Sequence, residues 1–394
     1  MKIGIVSPVY LEPLAPYVAG GERLPKSNRF PLGTLLVESL LQRGHQVSLF
    51  TLDDALGEET LKVSGENLTV HVGGYRSRGY VRAATQFGRE RTTLECALRS
   101  DPCDVLHAHW SYEFALAALA VDPAALVTVR DWAPLILQMQ QRLPDRFYRW
   151  GRLLMNNKTL AQARNLTSAS PYIARLVEAK TGKPCKVIPN ALPDEHFSAT
   201  PRERDETSFK LISINNGFDR RKNVTTLLES FKLVRQQLPE AELVLVGSGY
   251  EADGAAATWA KERDLTAGLT LLGSQPYDRV HALLGSVDLL VHPSLEESFG
   301  MTLVEAMAKR VPVVGGRESG AVPWVLAGGD AGVLTDVTSP EALAKASVGV
   351  LGNPGRWQRV SAAGFDHAAA TFKLSATVSR YLDSYEKVHE RAVG

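Results

Sequence analysis

Two series of short apolar segments constrain the fold of this chain more than any other feature of its sequence. The segments are rich in β-branched residues, and longer stretches with helical periodicity separate them. The first series is KIGIVSP, HQVSLFT, LTVHVGG, DVLHAH, ALVTVRD, NLTSAS and CKVIPN, and the second is FKLISINN, AELVLVG, LTLLG, DLLVHPS, VPVVGG and AGVLTD. Alternation of apolar strands with helices is typical of parallel sheets covered by helices on both faces. The two series therefore predict an α/β chain with two such domains.

The length of 394 residues also favours two domains, because one hydrophobic core rarely serves so long a chain. The polar, charged segment at residues 191–208 carries two prolines and is the predicted join. We predict an N-terminal domain over residues 1–195, a C-terminal domain over residues 196–372 and a final helix over residues 373–394. That helix is far from both sheets in sequence and could pack on either domain. We expect it to pack back on the N-terminal domain.

Composition excludes several classes of protein. A net charge of +1 gives no sign of nucleic-acid binding, and 44% hydrophobic with 22% charged residues is typical of a soluble globular protein. Three cysteines without metal-ligand spacing fit a reducing compartment. The N-terminus enters a strand pattern directly, without the basic start and apolar run of a signal peptide. No apolar run approaches the ~20 residues of a membrane-spanning helix. We therefore expect a cytoplasmic protein.

Polar residues follow several of the predicted strands. In parallel sheets, ligands bind beyond the carboxyl ends of the strands, which for two facing sheets predicts a site in the cleft between them. His107 and His109 end DVLHAH, Arg130 and Asp131 follow ALVTV, and Gly247 follows AELVLV. We expect the two histidine rings to point to opposite faces of their strand or, at its frayed end, into the cleft. One of them, more readily His107, has the alternative role of a buried structural histidine. Trp110 could stack on an acceptor ring or belong to the core.

The stretch HPSLEESFGMTLVEAMA, residues 292–308, places Glu297 and Glu305 around a Phe-Gly turn that opens a helix. The first amide N–H groups of a helix are unpaired and attract anions, and Gly300 lets the backbone come close. An ionised carboxylate only accepts hydrogen bonds, as phosphate does, so the glutamates suit hydroxyl groups. Phosphates at the amides of Phe299–Thr302, flanked by two hydroxylated groups, describe a nucleotide-diphosphate sugar. The alternative is that both glutamates are ordinary surface residues.

The longer stretch HPSLEESFGMTLVEAMAKRVPVVGG closely resembles the signature of the retaining glycosyltransferases of family 4. Other blocks resemble the family in its order along the chain: LLQRGHQVSLFT, DVLHAHW, VTVRDW, SASPYIARLV, VIPNALPDEHF, KNVTTLLESFKLV and LVLVGSG. The resemblance implies the GT-B architecture, with two facing Rossmann-like domains of parallel sheets and an interdomain cleft. It also implies that the N-terminal domain binds the acceptor and the C-terminal domain binds the nucleotide-sugar donor.

The resemblance further implies that Glu297 faces the donor sugar, that Glu305 binds the ribose and that His109 contacts the acceptor or the transferred sugar. The predicted catalytic residues are Glu297 and His109; the predicted donor-binding residues are Gly217, Arg221, Lys222, Gly247, Phe299, Gly300, Met301, Thr302 and Glu305; the predicted acceptor-binding residues are His107, Trp110, Arg130 and Asp131.

The sequence departs from the family pattern at three places. Family members usually carry a Gly-Gly pair just before the first helix, but here Gly20-Gly21 lie far upstream, so either they fold back or Gly33 takes that place. Gly217 occupies the position of an arginine that many members carry five residues before the phosphate-binding lysine, here Lys222. Arg130 stands where many members have a histidine.

The leaving diphosphate must be stabilised either by a divalent cation or by cationic side chains and helix amides. The chain has no Asp-x-Asp pair in a polar loop, whereas Arg221 and Lys222 lie at a strand–helix junction. The sequence therefore predicts no metal and no other cofactor. The alternative for these two residues is a basic loop on a solvated face.

The segment at residues 142–158 is basic and aromatic, with five cationic residues against Asp145 alone. Such a helix could rest on an anionic membrane surface, although charged residues on a helix are usually just a solvated face. A peripheral position on the inner face of the membrane is therefore one option for this chain.

These observations predict a retaining, metal-independent glycosyltransferase that moves a sugar, a hexose in the first instance, to a hydroxyl of a glycan, lipid-linked saccharide or small molecule. We expect front-face attack, with domain closure bringing His109 and Glu297 together. Two alternatives remain: a nucleotide-sugar 2-epimerase or hydrolase on the same fold, and a non-catalytic sugar-nucleotide-binding protein.

Overall fold

The computed structural model describes residues 1–26, 30–140, 142–201, 203, 207 and 209–393. Within the predicted join at 191–208, residues 202, 204–206 and 208 lie outside the described residues. The chain divides into two compact units: unit 1 is Met1–Ala191 with Leu374–Gly394, and unit 2 is Leu192–Lys373.

Unit 1 is built on an eight-stranded sheet. Its strands are β1 (Lys2–Val6), β2 (Gln46–Asp53), β3 (Thr60–Ser64), β4 (Leu68–Gly74), β5 (Val105–His109), β6 (Leu126–Val129), β7 (Asn165–Ser168) and β8 (Cys185–Val187). They lie in the order β3-β4-β2-β1-β5-β6-β7-β8. All neighbours are parallel except β3, which pairs antiparallel with β4 at the edge. The prediction of an all-parallel sheet therefore needs one correction, because β3 was not recognised in the sequence.

Connecting helices in unit 1 cover the sheet. They are α1 (Pro31–Gln42), α2 (Gly79–Ala84), α3 (Gly88–Ser100), α4 (Glu113–Val121), α5 (Ala133–Met139), α6 (Leu143–Gln162) and α7 (Pro171–Thr181). The central strands β5 and β6 are buried at every residue, as strands covered on both faces should be. The side chains from α1 and the strands form one core, and those from α3, α4 and α7 join another on the opposite face.

Unit 2 is built on a six-stranded parallel sheet. Its strands are β9 (Phe209–Ile214), β10 (Ala241–Val246), β11 (Leu269–Leu271), β12 (Leu289–His292), β13 (Val313–Gly316) and β14 (Val333–Thr335), in the order β11-β10-β9-β12-β13-β14. Its helices are α8 (Val224–Gln237), α9 (Ala255–Lys261), α10 (Tyr277–Leu284), α11 (Met301–Ala308), α12 (Val322–Val325), α13 (Pro340–Leu351) and α14 (Pro354–Thr371).

The last helix, α15 (Leu374–Val393), is grouped with unit 1. Its buried residues Val378, Tyr381, Tyr385 and Val388 recur at spacings of three and four and join the core that contains Ile3 and Ile5. One apolar stripe of an amphipathic helix therefore completes the covering of the unit 1 sheet.

Each sheet has one point at which the strand order reverses. In unit 1 the chain proceeds outward from β1 on one side and from β5 on the other, and in unit 2 the corresponding neighbours are β9 and β12. The crevice beyond the carboxyl ends of such a strand pair is where ligands bind in open α/β sheets. The predicted pair of Rossmann-like domains is confirmed, and each contains its own switch point.

Within the ranges that the structure describes, no helix is long and apolar enough to cross a membrane.

Candidate functional site

The loops that follow β9 and β12 meet at the switch point of unit 2. The Ser294 hydroxyl donates to Asn215 Oδ1 at 3.2 Å, and the Leu295 amide donates to the Arg221 carbonyl oxygen at 2.8 Å. The Asn223 side-chain amide donates to the Pro293 carbonyl oxygen at 3.1 Å. These hydrogen bonds join two segments that lie some 70 to 79 residues apart in sequence, so the predicted donor-binding residues of both loops share one edge of the sheet.

Lys222 and Glu297 form an ion pair at this edge. Both side chains are largely buried, at 10% and 13% exposed, and His292 Nε2 lies 3.3 Å from Glu297 Oε1. Burial alone would raise the pKa of Glu297, but the Lys222 charge and the His292 ring outweigh it and hold that pKa well below its usual range. Glu297 therefore stays ionised. Its negative charge partly offsets the positive charge of Lys222 before any phosphate binds.

Helix α11 begins without a side-chain cap. Its N-cap is Gly300, where φ is 93°, a left-handed conformation that favours glycine. Phe299 is buried and packs edge-to-face against Trp324 and Phe372, which fixes the turn. The amides in the first turn of an α-helix have no intrahelical partner. The turn therefore presents backbone donors, those of Met301 and Thr302, that suit an anion.

Two glycines shape the neighbouring loops. A Cβ on Gly247 would lie 1.7 Å from the Asn215 carbonyl oxygen, so only glycine fits there. The Gly217 amide donates to the Ser248 carbonyl oxygen at 2.9 Å, and its own carbonyl oxygen accepts from the Tyr250 hydroxyl at 2.8 Å. The loops after β9 and β10 are thereby held together. Gly217 contributes only backbone atoms to this edge of the unit 2 sheet. Arg221, in the same loop, is partly buried.

Glu305 has a different environment from Glu297. It lies on α11, four residues beyond Met301 and so on the same helical face. Its carboxylate has no hydrogen bond or ion pair within the part of the chain that the structure describes, and burial raises its pKa to about 7. Glu297 and Glu305 thus have pKa values shifted in opposite directions. A ligand hydroxyl that donates to Glu305 would favour its ionised form.

His107 and His109 lie at the end of β5, at the switch point of unit 1. Their ring centroids are 4.1 Å apart, on one face of the strand. The expectation of opposite faces was wrong, because residues two apart on a strand share a face. His107 Nδ1 lies 2.8 Å from the Tyr385 hydroxyl and Nε2 lies 2.7 Å from Thr128 Oγ1, so both ring nitrogens have internal partners. This geometry fits the structural alternative for His107 rather than acceptor contact.

His109 keeps one nitrogen without a partner. Its Nδ1 accepts from Arg130, with Nη2 at 2.6 Å, and its Nε2 is buried without a hydrogen-bond partner among the residues described. Burial, the adjacent His107 and the Arg130 charge lower the pKa of His109, so the ring is neutral. A neutral ring that accepts at Nδ1 carries its proton on Nε2. His109 therefore carries one buried N–H donor that has no partner among the residues described.

The Arg130 side chain is engaged inside unit 1. It donates to His109, to the Asn190 side chain and to the Tyr381 hydroxyl. Asp131 accepts from the Tyr112 hydroxyl at 2.7 Å. Arg130 thus orients His109, and the acceptor contact predicted for it stays a prediction.

Unit 1 also contains a cavity of about 190 Å³ at its switch point. It is lined by Pro8, Leu52, Tyr75, Trp110, Glu113, Phe114 and Arg152. The sequence predicted a role for Trp110 but missed Tyr75, Glu113 and Arg152. Tyr75 directly follows β4 and Glu113 opens the helix after β5, so the rule of strand ends could have found both. Arg152 lies within a long helix and carried no such signal.

Comparison with known proteins decides the family. Residues 34–191 match the family described as "Glycosyl transferase 4-like domain", and residues 196–366 match "Glycosyl transferases group 1". The chain is a glycosyltransferase of the family 4 type. In this glycosyltransferase the two matched regions fall within unit 1 and unit 2 respectively.

Similar proteins carry several activities in their names. The D-inositol 3-phosphate glycosyltransferase of Segniliparus rotundus is 32% identical over 163 residues, which are 40% of this chain and 36% of that protein. The N-acetyl-alpha-D-glucosaminyl L-malate synthase of Bacillus anthracis is 24% identical over 91% of this chain and 93% of that protein. The chain thus spans about a third of the first relative and nearly all of the second.

Among solved structures, the sucrose-phosphate synthase of Thermosynechococcus elongatus superposes with a TM-score of 0.77 at 18% identity, covering 99% of this chain and 100% of that chain. At this identity the likeness shows the fold alone.

Proposed function

We propose that this glycosyltransferase moves a sugar from a nucleotide-diphosphate sugar to a hydroxyl of an acceptor, with retention at the anomeric carbon and without a metal ion. The observation that carries the proposal is the Lys222–Glu297 pair beside the uncapped start of α11, at the switch point of unit 2. The Lys222 cation and the backbone N–H groups there suit the diphosphate and its leaving oxygen. The ionised Glu297 carboxylate suits the sugar hydroxyls.

The donor contacts follow from the chemistry of each group. The amides of Met301 and Thr302 would bind the diphosphate, together with Lys222 and Arg221. Glu297, held ionised, would accept hydrogen bonds from the sugar hydroxyls. Glu305, which lacks a protein partner in the described chain, would accept from the ribose diol and become ionised in doing so. This division answers why two carboxylates flank an anion site: neither needs to contact phosphate.

The leaving diphosphate gains negative charge as the bond to the anomeric carbon breaks. Helix amides and cationic side chains stabilise that charge without a metal when they are already aimed at it. The site has such groups in Lys222 and the start of α11, which supports the metal-independent reaction.

Retention constrains the geometry of attack. A double displacement would need a free carboxylate on the sugar face opposite the leaving group. Glu297 is instead paired with Lys222, on the side where the phosphate binds, so it suits hydroxyl contact and charge stabilisation. We therefore assign front-face attack: the acceptor oxygen bonds to the anomeric carbon, the bond to the diphosphate oxygen breaks, and the diphosphate takes the acceptor proton. We assign the Nε2–H of His109, a buried donor without a partner among the residues described, to orienting the transferred sugar.

We also propose that unit 1 contacts an anionic membrane surface through α6. Leu143, Phe147 and Trp150 are exposed on this helix, at 79%, 45% and 51%. Arg142 and Arg146 are exposed beside them. Apolar side chains flanked by arginines are the composition of a helix that lies in the interface of an anionic bilayer.

The decisive experiment has two stages. A thermal-shift panel of nucleoside diphosphates and their sugars identifies the donor, because a ligand that binds the native state raises its stability. The chosen nucleotide sugar is then incubated with and without acceptors, and the products are assigned by NMR. Transfer with retained configuration supports the proposal. Conversion of the donor without an acceptor, to free sugar or to its 2-epimer as the main product, would instead identify a hydrolase or epimerase.

A further inference from the structure

Another cavity in unit 1, of about 410 Å³, lies on the face of the sheet that α3 covers. Its floor is β4, one wall is α3 and the other is the edge strand β3. It extends to Ser100, the last residue of α3, and the adjacent Asp101 pairs with Lys2, which begins β1. The cavity therefore reaches towards the amino ends of the strands, away from the switch point between β1 and β5.

His71 is the polar group in the floor of this cavity. It is only 7% exposed, its ring stacks on Phe50 at 4.9 Å, and its Nε2 lies 2.9 Å from Asp101 Oδ2. Burial lowers the pKa of His71 despite the Asp101 carboxylate, so the ring is neutral and its proton is on Nε2. Its Nδ1 has no hydrogen bond within the described chain and is not a fully buried atom. His71 therefore presents one fixed acceptor to the cavity.

The α3 wall presents further acceptors. The hydroxyls of Thr92, Thr93 and Ser100 donate to carbonyl oxygens of their own helix, at 3.0, 3.1 and 2.8 Å. A hydroxyl that donates inside its helix keeps oxygen lone pairs for a ligand. Thr93, Ala97 and Ser100 are separated by four and three residues, so they share one face of α3. The wall thus suits a ligand that carries several hydroxyl donors.

Lys62 is the cation at the rim of the cavity. It lies directly opposite His71 in the antiparallel β3–β4 pair, so the two side chains share a face of the sheet. Lys62 is exposed and has no ion pair among the residues that the structure describes. The Asp101 carboxylate next to His71 is already paired with Lys2. The positive charge of Lys62 is therefore available to an anionic group of a ligand.

We propose that this cavity is a second small-molecule site, which binds a phosphorylated monosaccharide separately from the donor and the acceptor of the transfer reaction. Ring hydroxyls donate to His71 Nδ1 and to the hydroxyl oxygens of α3, and the phosphate accepts from Lys62. The volume of 410 Å³ corresponds to about fourteen waters at ~30 Å³ each, enough for one such molecule with part of its hydration. An anion without hydroxyl groups would find only acceptors on the α3 wall.

Cys96 makes occupancy of the cavity measurable. It is the exposed cysteine of the α3 wall, whereas Cys103 and Cys185 are more buried, and burial raises the pKa of both thiols to about 11. Because the thiolate is the reactive form, iodoacetamide at neutral pH should modify Cys96 faster than the other two. Peptide mass spectrometry measures the rate at each cysteine. A ligand in the cavity should slow the reaction of Cys96 in proportion to its occupancy.

The unmodified protein is alkylated in the presence of glucose 6-phosphate, glucose 1-phosphate, mannose 6-phosphate, glucose or inorganic phosphate, all at equal concentration. At least one sugar phosphate should protect Cys96, and glucose and inorganic phosphate should protect it less. Equal protection by inorganic phosphate would show a site for the anion alone. That result, or protection by none of the three sugar phosphates, overturns the inference.

Variants then locate the site, with the Kd of the protecting sugar phosphate measured by calorimetry. Lys62→Gln removes the cation and should raise that Kd roughly tenfold, with little change in the weaker binding of glucose. His71→Phe keeps a ring to stack on Phe50 but removes Nδ1, and should raise the Kd about fivefold. Lys180→Gln is the matched control, because it removes an exposed lysine from α7 at the other side of the sheet. Circular dichroism checks folding; if His71→Phe is unfolded, the exposed Lys62→Gln decides alone.

This inference and the transferase proposal fail separately. Glu297→Gln should bind the sugar phosphate with unchanged Kd, and Lys62→Gln should leave the acceptor KM unchanged. If Lys62→Gln raises the acceptor KM as much as the sugar phosphate Kd, the cavity belongs to the acceptor site, so the second site is overturned and the transferase proposal stands. If sugar phosphate binding depends on Lys62 but no sugar is transferred, the second site stands and the transferase proposal fails.

Discussion

Removing the cation from the Lys222–Glu297 pair should destabilise unit 2 strongly. In the variant Lys222→Met, Glu297 keeps its buried position but loses the charge that holds its pKa low. Breaking a buried ion pair by removing one partner costs about 3–5 kcal/mol, because the remaining charge is uncompensated. At roughly 2–4 °C per kcal/mol for a unit of this size, the apparent Tm of unit 2 should fall by about 6–20 °C.

The pH dependence of the same variant should change sign. In the unmodified protein the folded pKa of Glu297 is depressed, so its contribution to stability is present above the unfolded pKa and is lost as pH falls through the folded value. In Lys222→Met, the His292 ring is left to oppose burial without the Lys222 charge; we expect burial to outweigh it and raise the folded pKa of Glu297, so that the native state binds the proton more tightly than the unfolded state. The penalty should then shrink on acidification from pH 7 to pH 4, and Lys222→Met/Glu297→Gln should recover part of the lost stability at pH 7.

The assay is thermal and urea unfolding between pH 4 and pH 8, followed by intrinsic fluorescence. Arg89→Met is the matched control, because Arg89 pairs with Glu58 on the surface, where Glu58 is 85% exposed. A surface pair contributes about 0–1 kcal/mol, so this variant should unfold close to the unmodified protein. Equal stabilities of Lys222→Met and Arg89→Met at pH 7 would refute the reasoning, since the Lys222–Glu297 pair would then behave as a solvated one.

Four further predictions concern function. Glu305→Gln should weaken nucleoside diphosphate binding by roughly 1.5–3 kcal/mol in calorimetry, with Glu229→Gln at an exposed position as the control. The affinity of the unmodified protein should rise from pH 6 to pH 8 as Glu305, with a pKa of about 7, ionises. An unchanged affinity in Glu305→Gln removes Glu305 from the ribose site. Glu297→Gln should slow transfer strongly while nucleoside diphosphate affinity changes little, and a trapped glycosyl-enzyme or an inverted product would rule out front-face attack. Transfer should persist in EDTA; loss that Mg²⁺ or Mn²⁺ restores contradicts the assignment to Lys222 and helix amides. Phe147→Ser/Trp150→Ser should abolish co-sedimentation with phosphatidylglycerol vesicles and leave transfer to a soluble acceptor intact, whereas equal sedimentation by both proteins argues against α6 as the contact.

Most strands could be predicted because a strand in a parallel sheet covered on both faces is apolar at nearly every position. Strands such as β5 and β6 are buried at every position, so they appear as unbroken apolar runs. The strand that was missed, β3, obeys a different rule: its buried residues Leu61 and Val63 alternate with exposed polar ones. It lies at the edge and pairs antiparallel, so it needs to be apolar on one face only. A search for continuous runs cannot detect such a strand.

The partners of the site residues could not be predicted, because they come from distant segments. Nothing near Lys222 in sequence indicates that its ammonium pairs with a carboxylate 75 positions away. The same is true of His107, whose ring is held by Tyr385 on the last helix, 278 positions away. Local sequence indicates which residues follow a strand, but only the order of strands in the sheet determines which of those residues meet. That is why the sequence did not indicate that Arg130 orients His109.

For Glu297 and Glu305, residue type and spacing predicted hydrogen bonds to ligand hydroxyls but not the protonation state of either carboxylate. The spacing and the turn between them predicted a binding site, and both carboxylates were expected to accept from hydroxyl groups. Their protonation depends on what surrounds each one: a cation and a histidine depress the pKa of Glu297, and burial without a partner raises that of Glu305 to about 7. Glu297 is thus a charge fixed in place before the donor arrives, whereas Glu305 acquires its full charge when ligand hydroxyls donate to it. Donor binding near pH 7 should therefore release a fraction of a proton from Glu305 and none from Glu297. Calorimetry in buffers of different ionisation enthalpy measures that release, and its persistence in Glu305→Gln would assign it to another group.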